Sequence, residues 1–258
     1  MYDKLKADVA FLRGNYEEAA AMYREGAKDG DAGAAFNYGY CLLHGIGTEY
    51  SPSEAKSFFA FARDMEGGES CYLLAMLYLH GEGVRKDYKQ ALKYMKISAS
   101  QGCIEAQLYL GMAYTTGCML EPDVVGICMI PYHKPEYRDP YALLLEGDVP
   151  DAEADEELRF SVIDADARLA FEWFRRAAHH DPTYVASLVA KGQYLYAKCY
   201  IDGMGTDFDN RKGLMLMLAA GKSGSEDAVN YLAENGVRPE NLLAEAKKQK
   251  RRPPFDES

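Results

Sequence analysis

Two stretches of this chain say nearly the same thing 36 residues apart, and that repetition restricts the fold more than any other feature. Tyr38, Gly39, His44, Gly45 and Gly47 in the first stretch stand against Leu74, Ala75, His80, Gly81 and Gly83 in the second. A further block follows each, residues 51–61 and 87–97, with Ala55 against Ala91 and Phe58 against Tyr94. A period of this length marks a repeat built from one helical hairpin per unit, which buries its apolar face by stacking on its neighbours. The expected fold is all-α, a right-handed superhelical solenoid of antiparallel helix pairs with at least nine helices. Repeats extend such a core without starting a new one, so residues 1–258 are expected to form a single solenoid domain.

Taken in order, residues 2–13 predict a helix with Leu5, Val9 and Leu12 on one face, and residues 17–28 its partner. The first full unit pairs a helix over 32–44 (helix A) with one over 52–64 (helix B). Ser51 is its N-cap, Pro52 takes the first helical position, and Glu54 stands three residues after the cap. In the second unit Asp87 and Gln90 fill the cap and third positions, and in both units the cap follows the second loop glycine by four residues. A third unit opens with Ala106, Leu110, Gly111, Tyr114 and Gly117, but Met119 stands where the second glycine belongs, and helix B resumes only over 170–178. Residues 118–167 are therefore an insertion in the third A–B loop. It holds apolar runs at 124–132 and 141–145, an acidic stretch at 146–157, and weak strand-like alternation at 159–163. Loops of that length are often functional. In the fourth unit Asp181 and Pro182 open a helix running past Tyr194 and Tyr200, Gly203 and Gly205 form its loop, and Asp209 is the cap, again four residues on. Helices over 211–222 and 225–235 follow, and residues 237–258 are expected to form a C-terminal capping helix and tail.

The formal net charge of −11 argues against a nucleic-acid partner, since phosphate contacts need clustered Lys and Arg. The basic run from Lys247 to Arg252 reads as the solvated end of a terminal helix. No apolar run approaches the ~20 residues that span a membrane, and the start lacks the apolar segment of a secretory signal, so the expected location is cytoplasmic. The six cysteines, Cys41, Cys71, Cys103, Cys118, Cys128 and Cys199, show no repeated close pairing and are expected to be reduced. Cys41 and Cys199 share a register with Leu77 and Ala113, the behaviour of a small core hydrophobe. Cys118, Cys128 and His133 match no common metal spacing, so neither a metal nor a cofactor is expected.

At the loop glycines and the helix B block, the chain resembles the Sel-one-like repeat (SLR) family, short relatives of tetratricopeptide repeats. The matching residues are Ala34, Tyr38, Gly39, Gly45, Gly47 and Ala55, then Leu74, Gly81, Gly83, Asp87, Tyr88, Ala91 and Tyr94. Further on they are Ala106, Leu110, Gly111, Tyr114, Trp173, Ala177, Gly203, Gly205 and Asp209. Some family members are secreted proteins with a disulfide in each unit, a pairing absent from this sequence. The loop glycines are expected to supply positive φ in a tight turn, and His44 and His80, at one register before them, to be structural or to wall a groove.

The resemblance implies a non-enzymatic scaffold for protein–protein interaction that binds a peptide or protein segment on its concave face. By analogy with tetratricopeptide repeats, that face takes Phe36, Tyr40, Leu43, Tyr72, Met76, Leu79, Leu108, Met112, Tyr194 and Lys198. The row is rich in Tyr and Met, as suits an adaptable surface. The sequence leaves open whether the row is a groove or packed core. An enzyme would have to draw on the acidic residues of the insertion with His133, Tyr132 and Tyr137, and these show no nucleophile–base spacing. The remaining alternative is an oligomerising structural adaptor whose subunits pair through residues 118–167.

Overall fold

The computed structural model of the chain describes residues 2–66, 68–120 and 162–237. Eleven helices and no strands occur among them. They are α1 Lys4–Leu12, α2 Tyr16–Lys28, α3 Ala32–His44, α4 Pro52–Glu66, α5 Gly68–His80 and α6 Tyr88–Ser100. α7 Ile104–Thr116, α8 Ala167–Ala178, α9 Pro182–Asp202, α10 Asn210–Lys222 and α11 Glu226–Glu234 complete the set. The residues divide into two compact units, Met1–Gln107 and Leu108–Ser258. Most of the insertion expected at 118–167, with its apolar runs, its acidic stretch and the greater part of the strand-like 159–163, lies outside the described residues. So does the expected capping helix and tail, Val237 excepted.

In the first unit the periodic positions pack as the repeat requires. Ala34, Ala55, Ala75 and Ala91 are fully buried and let the helices approach, while Phe59 and Met95 fill the space between them. Asp31 and Asp87 cap α3 and α6, their carboxylates accepting from the amides of Ala34 and Gln90 at 2.6 and 3.0 Å. The A and B helices of each hairpin are tied by one backbone bond. The Ser51 amide donates to Leu42 O at 2.8 Å, and the Asp87 amide to Tyr78 O at 2.9 Å.

The loop glycines have φ between 63° and 79° in this unit, in the left-handed region expected of them. The second glycine of each loop has a further reason to lack a side chain. A Cβ on Gly83 would overlap the Ser53 amide nitrogen at the start of α4, and one on Gly47 the Tyr16 carbonyl at the start of α2. Each loop therefore rests, backbone on backbone, on the first turn of the preceding B helix.

One expectation is overturned in α1. Leu5 and Leu12 are 74% and 57% exposed, and the buried face carries Ala7, Ala10 and Phe11 instead. Phe11 packs edge-on against Tyr16 at 5.2 Å and lies 6.3 Å from Tyr23, whose hydroxyl donates to Asp8 at 2.8 Å. The two alanines allow α2 close enough for these ring contacts, which a leucine face would hold off.

The second unit repeats the scheme around the insertion. α8 begins at Ala167, three residues earlier than the sequence pattern shows, because Asp166 caps it by accepting from the amides of Arg168 and Leu169 at 2.9 and 3.0 Å. The Asp166 amide donates to Tyr114 O at 2.9 Å, the same closing bond that the Asp209 amide makes to Tyr200 O at 3.0 Å. Met119, which replaces the second glycine, is fully buried. Nearby, the buried Tyr109 hydroxyl donates to Leu120 O at 2.8 Å and accepts from its amide at 3.0 Å. Gly205 repeats the close approach, its Cβ position overlapping the Ala167 carbonyl.

The two loop glycines should differ in what a methyl group does. Gly81 has φ 79° and its Cβ would lie 3.3 Å from Lys86, so Gly81→Ala should cost about 1–2 kcal/mol through backbone strain alone. Gly83→Ala adds overlap with rigid backbone and should cost about 3 kcal/mol or more. Urea denaturation at constant slope measures both, and equal costs would refute the close-approach role. Asp87→Ala should cost about 1 kcal/mol in the same assay through loss of the cap to the Gln90 amide.

Candidate functional site

The ten residues of the expected binding row occupy three repeated registers on the A helices. In the first unit Phe36 and Tyr40 of α3 are half-buried, Leu43 is buried, and Tyr72, Met76 and Leu79 of α5 are 5%, 8% and 0% exposed. In the second unit Leu108 is fully buried, while Met112, Tyr194 and Lys198 are half-buried. The row is thus graded. Leu79 and Leu108 belong to the core, Tyr72, Met76 and Leu43 sit just beneath the surface, and Phe36, Tyr40, Met112, Tyr194 and Lys198 present part of their side chains to solvent.

Local packing explains which members stay accessible. Phe36 leans on Phe59 with ring centroids 5.9 Å apart, and Tyr40 lies 4.3 Å from the ring of exposed His44 one turn on. His80, at the matching register of α5, is half-buried. In the second unit Lys198 pairs with Asp202 at 3.0 Å and its ammonium lies 5.2 Å from the Tyr231 ring centroid. Burial works against the charge of Lys198, but the hydrogen bond and charge of Asp202 outweigh it and hold the group above the usual lysine range. Burial likewise raises the Tyr194 hydroxyl. The accessible part of the row offers aromatic faces, one thioether and a fixed cation, a set suited to binding rather than to bond-making.

The cysteines behave as core residues. Cys41, Cys71, Cys103, Cys118 and Cys199 are buried free thiols. Burial pushes Cys41 and Cys199 up to about 12, so neither supplies thiolate near neutral pH. Cys128, His133, Tyr132 and Tyr137, the other residues weighed for a metal or an enzyme, lie outside the described residues.

One constellation is not singled out by the repeat pattern, although Tyr94 stands at one of its positions. Tyr78 and Tyr94 stack at 5.7 Å with Lys56, Arg63 and Lys93 around them. The sequence signal for it is the run Lys89, Lys93 and Lys96 on a helix without a single acidic residue.

The repeated loop and hairpin geometry is matched by what the chain is similar to. The Sel1 repeat family model matches residues 10–31, 32–65, 68–103, 104–124, 160–182 and 190–225, more than half of the chain. The matched stretches stop at 124 and resume at 160, leaving the middle of residues 118–167 unmatched. No curated protein matches. Among solved structures, a Sel1 repeat protein from Oxalobacter formigenes aligns with a TM-score of 0.64 at 17% identity, covering 89% of this chain and 72% of that one. The protective antigen c5321 of uropathogenic Escherichia coli strains, which displays an SLR fold, aligns with a TM-score of 0.42 at 19% identity, covering 93% of this chain and 51% of that one. The fold is accordingly the all-α superhelical repeat class built from antiparallel helix pairs. Sel1 repeats are generally protein–protein interaction modules and typically non-catalytic. Six matched repeats, joined by loops whose glycines carry the structural role the repeat demands, make this chain a member of the Sel1 repeat family.

Proposed function

We propose that the protein is a non-enzymatic scaffold that holds a peptide or protein segment along the inner face of its A helices. The observation that supports this is the part-exposed aromatic and thioether surface at Phe36, Tyr40, Met112 and Tyr194, set at repeated registers of a fold made for display. Tyrosine offers large contact area with few torsions to freeze, and methionine adapts to different side chains. In the first unit Phe36 and Tyr40 are the anchors, and in the second Met112 and Tyr194, where Lys198, held charged beside Asp202, favours an acidic group or a main-chain carbonyl. Leu79, Leu108, Tyr72, Met76 and Leu43 support the face from below. The five buried free thiols suit a reducing compartment such as the cytoplasm.

Peptides selected from a random display library on the intact protein provide the test. Tyr40→Ala with Tyr194→Ala should weaken their binding about tenfold or more, because part-exposed anchors carry much of the affinity in such interfaces. The thermal midpoint should hardly move. Leu79→Ala should instead cost about 2–5 kcal/mol through the cavity it leaves in a fully buried site. Unchanged peptide affinity in the folded double variant would place binding elsewhere.

A further inference from the structure

The first unit carries a second surface of a different kind. Tyr78 of α5 and Tyr94 of α6 stack with ring centroids 5.7 Å apart and planes 11° from parallel. Lys56 Nζ of α4 lies 5.1 Å from the Tyr78 centroid, and Lys93 Nζ lies 5.9 Å from the Tyr94 centroid. Arg63 Nη1 donates to the Tyr94 hydroxyl at 3.4 Å. Three cations are thereby collected around one aromatic pair. Neither Lys56 nor Lys93 pairs with a carboxylate among the described residues.

The surrounding sequence enlarges the cluster. Lys89, Lys93 and Lys96 follow one another at steps of four and three, so they share a face of α6, and all three are exposed. Lys56 and Arg63 are seven residues apart, which places them on one face of α4. α6 contains no Asp or Glu. In a chain of net charge −11, α6 carries three cations and no carboxylate, and Lys56 and Arg63 of α4, a helix that also holds Glu54, Asp64 and Glu66, add two more cations beside the tyrosine pair.

We propose that this surface docks an extended acidic protein segment, separate from the A-helix row. Seven residues of helix rise about 10.5 Å, and a segment in the extended polyproline II conformation, with three residues per turn at about 3.1 Å each, covers about 9 Å in one turn and returns its side chain to the same face. Carboxylates at positions i and i+3 of such a segment therefore meet the two ends of a row, while its backbone crosses the tyrosine pair. The overall charge decides against nucleic acid as the occupant. A polyphosphate runs on beyond the patch into the field of an acidic protein, whereas a segment with a few carboxylates answers only to charges within a Debye length of about 8–10 Å.

The test uses the full chain and a blocked, fluorescein-labelled decapeptide with Glu at every third position among Ser and Gly, compared with its Gln counterpart. Fluorescence anisotropy at low salt should show binding of the Glu peptide alone. Lys56→Gln with Lys93→Gln should weaken it at least about fivefold, whereas Lys56→Arg with Lys93→Arg should keep it. Lys28→Gln with Lys222→Gln removes the same charge elsewhere and should change it less than about twofold, as should Tyr40→Ala. Lys93→Gln alone alters an exposed side chain and keeps the comparison valid if the double variant unfolds. The proposal is overturned if the Glu peptide does not bind, or if the Lys28 and Lys222 pair matters equally. It is overturned also if a single-stranded oligonucleotide of equal charge binds more tightly through the same lysines.

Discussion

Everything regular about this fold depends on one backbone contact. The second glycine of each loop presses its Cα against the first turn of the B helix before it, at Tyr16 for Gly47, at Pro52 and Ser53 for Gly83, and at Ala167 for Gly205. A contact between two main chains leaves no side chain to adjust, so it sets the advance from hairpin to hairpin rigidly. The cap four residues later then has one place to fall, and its amide reaches the carbonyl nine residues back, as at Ser51 to Leu42 and Asp87 to Tyr78. The 36-residue period of the sequence is the trace of that geometry.

The same closing bond explains why the third loop tolerates its insertion. Between Tyr114 and Asp166 the chain runs 52 residues where the other hairpins use nine, yet the bond is 2.9 Å long. Loop closure grows with the logarithm of length, so the difference costs roughly 1.5 kcal/mol of entropy, about what one or two well-placed hydrogen bonds offset. The Asp166 cap and the two bonds of the buried Tyr109 hydroxyl to Leu120 lie where the hairpin meets the insertion. Met119 belongs to the same arrangement, since its buried side chain occupies a register where a glycine elsewhere admits neighbouring backbone.

How much of this was legible in the sequence follows from which interactions repeat. Caps and loop glycines recur at a fixed interval, and helices such as α3 fall where the pattern places them, because a short local motif dictates each one. The Asp166 cap was hidden since its register is measured from Tyr114, across an insertion of unknown length. α1 was misread because hydrophobicity ranks leucine above alanine, while the packing of α2 turned on the rings of Phe11, Tyr16 and Tyr23 and on small residues that let them meet. The proposed binding row was legible as a register but not as a surface. The sequence gives no measure of how far Tyr72 or Met76 sinks beneath a neighbour. Nor does a repeat pattern reveal the cations around Tyr78 and Tyr94, which come from two helices, α4 and α6, at positions the period does not mark.

The graded burial of the row limits what kind of ligand it can take. Burying the remaining half of a tyrosine, on the order of 100 Å², contributes about 2 kcal/mol before ordering costs are subtracted. With Tyr72, Met76 and Leu79 already buried, each unit keeps only a few such anchors, so a ligand must engage them together to bind tightly. That favours an extended segment with spaced apolar side chains over a compact surface. In the proposed reading, recognition there depends mainly on apolar area and, away from Lys198, is largely insensitive to salt. Contacts at Lys56, Arg63 and Lys93 depend on charge and weaken as salt is added. Two surfaces with opposite responses to ionic strength can hold chemically different segments without competing, and that separation is what a scaffold needs if it is to bring two partners together.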